Sequence, residues 1–282
     1  MYRVGCSTCN SVPDRALFSA YRDAGIAAME ISVRKPFCDE LNYDELLSLS
    51  KEFGVELWSY HLPFLPFREL DISNPMLAKD SVAYLSSLIE KATSIGISRI
   101  VIHASGEPIA EEDRAVRMRC ARESLATLAS FAEERGATIA VENLPRTCLG
   151  RSADDILELV GAHPALRVCF DTNHLLEEDP VAFIRRIGDR IITLHVSDYD
   201  FKNERHWLPG EGDLNWQDIL ATLKEIGYNG VWMYELRCVA PDSIVREREL
   251  TYADFAENAR ALFEGRTPDR LGTRVEGLTS WK

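Results

Sequence analysis

Four residues of metal-ligating type recur at matching places along the chain: Glu142 in VEN, Asp171 in FDTNH, His195 in LHVSD and Glu235 in YEL. Each closes a short apolar run of the kind that forms a buried strand. If the runs are neighbouring strands of one barrel, all four side chains point into one mouth. Three carboxylates and an imidazole gathered there repel one another and resist burial unless a cation neutralises them. Four separately satisfied polar residues would leave the three carboxylates without a counter-charge. Mixed oxygen and imidazole donors suit one divalent metal, Mn, Mg, Co or Zn, without choosing among them.

The elements that must carry these residues are legible as a strand-helix alternation. Strands are expected at Arg3–Ser7, Ala27–Val33, Val55–Leu62, Arg99–Ala104, Thr138–Leu144, Arg167–Thr172, Ile191–Ser197 and Gly230–Leu236. Between them, Asn74 before Pro75, Ser152 before Asp154 and Asp155, and Asp179 before Pro180 mark helix starts. Gly54, Gly96, Gly136 and Gly227 mark helix ends, each just before a strand. Eight such units in 282 residues predict a single-domain α/β protein, a (β/α)8 TIM barrel with a parallel eight-stranded core, over residues 1–264. Residues 265–282 show no periodicity and are expected to form an extended C-terminal tail, with Trp281 packed on the barrel or on a second subunit.

The six histidines are not scattered evenly over this frame. His61, His103 and His195 end the third, fourth and seventh strands, while His174 and His206 lie in the loops after the sixth and seventh. His163 alone falls elsewhere. Active sites of such barrels lie on the loops at the strand C-termini, so the bias is functional evidence even though a lone histidine is more often structural.

Composition narrows the partners. A formal net charge of -13, from 32 basic and 45 acidic residues, repels phosphate backbones and anionic lipid, so neither nucleic acid nor a membrane surface is expected as a partner. No apolar stretch approaches the length of a membrane span and MYRVGCSTCN does not read as a secretion signal, so the expectation is cytoplasmic. Seven cysteines fit reduced thiols, and Cys6 and Cys9 in CSTC lack the second pair a structural zinc site needs. No GxxxxGK loop is present, and Gly210 and Gly212 are expected to shape the turn into the seventh helix.

The order of VEN, DTNH, HVSD, HWLPGEGDLNW and YEL resembles the xylose isomerase-like barrel superfamily over nearly the whole chain. Within it the pattern is similar to the D-tagatose and D-psicose 3-epimerases of the sugar phosphate isomerase/epimerase group. The resemblance implies that Glu142, Asp171, His195 and Glu235 bind one divalent metal, that Glu142 and Glu235 are the acid/base pair, and that His174 holds substrate oxygens. It also leaves room for a homo-oligomer, dimer or tetramer. Two positions depart from the epimerases: His206, with Arg205 adjacent, stands where they carry a substrate-binding arginine, and Cys148 where they carry a second glutamate. A different branch, the type IV apurinic endonucleases, is matched by His61, His103 and His174 at its extra ligand positions, and by Glu204, Arg205 and His206 where it carries Asp, Arg and His. These additional residues are therefore expected to bind substrate or to form a second metal position, with additional zinc in the latter case.

The chemistry expected of such a site is proton transfer beside a carbonyl of a small carbohydrate, between two glutamates through an enediolate, giving an isomerase or epimerase. Expulsion of a β-hydroxyl or aglycone from a keto-sugar, keto-inositol or keto-glycoside by a dehydratase or lyase is the alternative, and multi-zinc phosphodiester hydrolysis the lesser one. Trp58, Phe64, Phe67 and Trp207 are candidates for stacking on a sugar face, whereas Trp232 reads as core.

Overall fold

The computed structural model describes residues 1–35, 37–64 and 69–278. In chain order it contains β1 (Arg3–Ser7), α1 (Arg15–Ala24), β2 (Ala28–Ser32), α2 (Phe37–Glu40), α3 (Tyr43–Phe53), β3 (Glu56–His61), α4 (Ala78–Ser94), β4 (Arg99–Ile102) and α5 (Arg114–Glu133). There follow β5 (Thr138–Glu142), α6 (Ala153–Val160), β6 (Arg167–Asp171), α7 (Pro180–Ile187), β7 (Ile191–His195), α8 (Trp216–Glu225), β8 (Val231–Tyr234), β9 (Ile244–Arg246), α9 (Tyr252–Phe263) and β10 (Gly272–Arg274).

The first eight strands form one sheet in the order β7-β6-β5-β4-β3-β2-β1-β8. Val196, just past β7, closes it by bridging to Tyr234 in parallel, taking an N–H···O bond to Met233 and accepting one from Glu235. The barrel is the single (β/α)8 architecture that the alternation predicts. Each strand ends one or two residues earlier than expected or at the expected residue. His61, Glu142, Asp171 and His195 are the last residues of their strands, and Glu235 follows β8 directly. Asp171 pairs with His195, and Glu142 with Cys169 two positions earlier on β6, so strand register sets the donors close to one level.

Side-chain alternation divides the apolar residues into two layers. Outward-facing residues pack against the helices in one large cluster, including Ile31, Ile100, Ile102, Val141, Phe170 and Trp232. Inside the barrel are the smaller sets Ala28, Trp58, Val231 and Met233, and Val101, Ala140 and Cys169. Gly5 belongs to the inner layer by necessity, because a Cβ there would lie 2.6 Å from Val231 and 2.8 Å from Met233.

The helix signals act largely as read. Ser152 accepts from the Asp155 N–H and Asp179 from Ala182 N–H, while Gly54, Gly96, Gly136 and Gly227 all have φ between 68° and 87°. Asn74 is a correction: its side chain accepts from Met76 N–H in a turn, and α4 begins only at Ala78 with no side-chain cap. Pro75 gave the wrong start because it opens a turn, closed by the Leu77 and Ala78 N–H groups on Asn74 O, that precedes the helix. The stretch after α9 also has a strand, β10, which pairs antiparallel with β9. Trp281 lies outside the described residues.

Candidate active site

The five strand-end residues converge on one point. His195 Nδ1 lies 3.1 Å from Glu142, 3.4 Å from Glu235 and 3.8 Å from Asp171, measured to carboxylate oxygens. Ligand atoms from these four residues all fall within 4.8 Å of one another. Asp171 Oδ1 accepts from the Asn173 N–H, but its buried Oδ2 has no hydrogen-bond partner. A buried carboxylate oxygen left unpaired beside two other carboxylates fits a cation at that point, and the oxygen-plus-imidazole set suits a hard or borderline divalent ion.

Backbone carbonyls fix the ring orientations of three of the other histidines. Nδ1 of His61 lies 2.8 Å from Leu62 O, that of His174 2.9 Å from Asn143 O, and that of His206 3.1 Å from Glu235 O. A carbonyl only accepts, so Nδ1 carries the proton in each ring and Nε2 is left to face the cavity. For His61, Nε2 faces Glu142 Oε2 at 3.0 Å, and His103 Nε2 meets the same oxygen at 3.2 Å. For His174, Nε2 faces Glu204 at 3.2 Å. A neutral His61 or His174 would set lone pair against lone pair in its contact, which only an added proton or a metal relieves. Two further donor sets thus flank the central one: His61, His103 and Glu142, and His174, Glu204 and His206.

Electrostatics separate the acids. Burial pushes Asp171 up to about 6 and Glu235 up to about 7, each countered by nearby histidine and reinforced by neighbouring carboxylate. Glu142 is fully buried, yet His195 and His103 hold its carboxyl well below the usual range. Burial alone would lower His61, His174 and His195, but their acidic neighbours raise all three, whereas His103 is lowered.

The turn after β7 places His206. Asp198 is buried and its carboxylate accepts from the N–H groups of Tyr199, Gly210 and Leu214 and from Trp216 Nε1. A Cβ on Gly212 would stand 2.0 Å from Asp198 Oδ1, so only glycine lets the loop close over this carboxylate. Gly210 and Gly212 therefore shape the turn, as the sequence suggested.

The predicted aromatic residues divide. Phe64 is 43% exposed at the cavity rim and stacks on His103 with ring centroids 4.0 Å apart. Trp58 is a correction: three residues before the end of β3, it packs inside the barrel, donates to Thr193 Oγ1 and borders a separate cavity with Arg99 at the strand-start end. Trp207 is a second correction, buried with its Nε1 on Ser243 and an Arg274 guanidinium over its ring. Phe67 lies outside the described residues. Arg205 borders the cavity, but its guanidinium ion-pairs with Asp200 and donates to Leu278 O, so it braces the loop instead of offering a metal donor.

Sequence reasoning missed Glu30 and Arg146. Glu30, fully buried on β2, accepts from His195 Nε2 at 2.9 Å and from Ser59 Oγ at 2.7 Å. A charged residue inside the apolar run AAMEISV was its signal. Arg146 binds Glu107, Asn203 and Glu204 across the mouth. Its loop carried no such mark.

Residues 18–260 match the family described as xylose isomerase-like TIM barrel. The chain belongs to that family. It is 23% identical over 262 residues to the fructoselysine 3-epimerase of Shigella flexneri, covering 83% of this chain and 93% of the relative. It is 29% identical over 195 residues to a protein of a Geobacillus species named probable endonuclease 4, covering 62% of this chain and 61% of the relative. Among solved structures, a D-tagatose 3-epimerase-like protein superposes with a TM-score of 0.76 at 23% identity, covering 94% of this chain and 99% of the other. That likeness shows the fold.

Proposed function

We propose that this member of the xylose isomerase-like TIM barrel family is a divalent-metal-dependent sugar isomerase or epimerase that transfers a proton beside a substrate carbonyl. The observation that carries the reading is the approach of Glu142 and Glu235 to the same His195 nitrogen, with Asp171 completing a donor set within 4.8 Å. A divalent cation held by this set supplies positive charge that acidifies a carbon next to the carbonyl.

The protein's own groups divide the remaining work. Glu235, 15% exposed, is open to the cavity and is the group placed to take or return a proton. Glu142, enclosed by histidines, is its counterpart on the opposite face of that carbon. A proton taken by one glutamate and replaced by the other inverts the carbon, whereas return to the adjacent carbon interconverts aldose and ketose. His103, His174 and His206 border the same cavity and orient hydroxyls there. Relatives named as sugar epimerases support the reading.

The test is solvent deuterium incorporation into a panel of ketoses, inososes and keto-glycosides by Mn-loaded protein. Exchange is expected with the wild type and is abolished in Glu142→Gln and Glu235→Gln while the fold survives. An active Glu235→Gln protein would sink the two-glutamate scheme, and a product lighter by water or aglycone would move the assignment to elimination.

A second reading, multi-zinc phosphodiester hydrolysis, is favoured by the two flanking donor sets. A net charge of -13 opposes a nucleic-acid backbone as substrate. Elemental analysis of protein purified without chelator separates the two. One Mn, Co or Mg per chain, lost in Glu142→Ala, supports the isomerase, while two or three zinc ions together with cleavage of an abasic-site duplex would replace it.

A further inference from the structure

The cavity over the two glutamates encloses about 600 Å3 and has two unlike parts. The part at the barrel axis is bordered by Glu142, Glu235, His103, His174, Glu204 and His206. The other part reaches outward past the end of β4, where Leu70, Ile72, Leu85, Ile102 and Leu144 form the wall and Phe64 stands at the rim. Leu85 is on α4 and Ile102 faces outward from β4, and both belong to the apolar layer between sheet and helices. The cavity therefore opens that layer to the active site.

Two polar groups beside this outer part already have partners. The Asp71 carboxylate takes Arg117 and the Ser73 hydroxyl, and Ser105 Oγ accepts from Leu149 N–H. Cys148 contributes a thiol that burial holds neutral. Sugar hydroxyls placed against such a wall would leave water without finding partners, whereas hydrocarbon would gain by the same transfer.

We propose that the substrate is a sugar derivative carrying an aliphatic or aromatic substituent, a glycoside or an N-substituted sugar, whose apolar group fills this outer part. The assignment rests on the proposed function, which places the reacting sugar unit at Glu142 and Glu235. Apolar wall and acid/base pair then select two ends of one molecule, and a free monosaccharide satisfies only one of them.

The experiment is calorimetric binding of n-alkyl β-D-glucopyranosides, from methyl to hexyl, to the Mn-loaded full chain. Affinity is expected to rise roughly fourfold per methylene until the outer part is full, following the transfer free energy of a buried CH2. Leu85→Phe, which fills the space, should flatten the series without weakening the methyl glucoside. Should Leu85→Phe disturb the fold, Phe64→Ala at the exposed rim serves instead and should reduce the slope. A methyl glucoside that binds as tightly as hexyl in the wild type would overturn the apolar site and leave the sugar reading standing. Failure of every glucoside to bind, with no deuterium exchange into free ketoses, would overturn both.

Discussion

Glu30 Oε1 accepts a hydrogen bond from His195 Nε2 at 2.9 Å, and this contact decides which face of the imidazole is offered to the active site. With the proton on Nε2, the lone pair of Nδ1 is turned toward Glu142, Asp171 and Glu235. Ser59 Oγ, 2.7 Å from the other Glu30 oxygen, fixes the carboxylate in turn. The chain of contacts Ser59, Glu30, His195 runs across the barrel interior from β3 to β2 to β7 and is fully buried.

Glu30→Gln should therefore weaken cation binding by about 10-fold to 100-fold, the usual effect of losing the carboxylate behind a ligating histidine. Mn titration by calorimetry measures it. A purely structural role would lower thermal stability and leave affinity unchanged, so the two readouts distinguish positioning from packing.

Protons must leave this cluster as a cation enters. Burial raises Glu235 to about 7 and Asp171 to about 6, so near or below those values the metal-free site holds protons that the cation displaces. Affinity should rise as pH increases through about 7 and go on rising above it while His195, raised by its acidic neighbours, gives up its own proton. Calorimetry in two buffers of different ionisation enthalpy counts the protons released. Release is expected to be larger below that pH than above it, and pH-independent affinity would contradict the raised carboxyls.

The strand frame and the strand-end donors were readable because a barrel repeats one unit, so each apolar run announces its own end and the residue standing there. Trp58 shows where that reading fails. Its distance from the mouth is set by three residues of strand, about 10 Å, and an aromatic residue in an apolar run carries no mark of which end it serves. Asn74 fails for a related reason, since a turn and a helix start use the same residue types. Glu30 carried a signal, a carboxylate inside an apolar strand, but its partner His195 is 165 residues away and only closure of the barrel brings them together.

The corrected position of Trp58 has its own test. Trp58→Ala should destabilise the protein by about 3–5 kcal/mol, the cost of emptying a large inner-core site, and leave the affinity of the folded protein for glucosides unchanged. Chemical denaturation gives the first quantity and calorimetry below the transition gives the second. A loss of glucoside affinity at unchanged stability would return Trp58 to the substrate.

Acid should weaken one surface element, the start of α9. At the start of α9 the Thr251 hydroxyl and the Asp254 carboxylate form a reciprocal capping box, and Arg248 donates to both Asp254 oxygens. These contacts, with Arg248 the largest, lower the Asp254 carboxyl from 3.8 to about 2. A carboxyl depressed in the folded state contributes stability that is complete above its ordinary value and is lost as pH falls from about 3.8 through about 2. Because Arg248 is 58% exposed and screened by solvent, the cap rather than the ion pair should dominate. Asp254→Asn is expected to cost about 1 kcal/mol at neutral pH, read as a fall in Tm of about 2 °C. Salt should change that difference little, and the difference between wild type and variant should shrink as the pH approaches about 2. An undiminished difference at that pH would mean that another contact holds α9 in place.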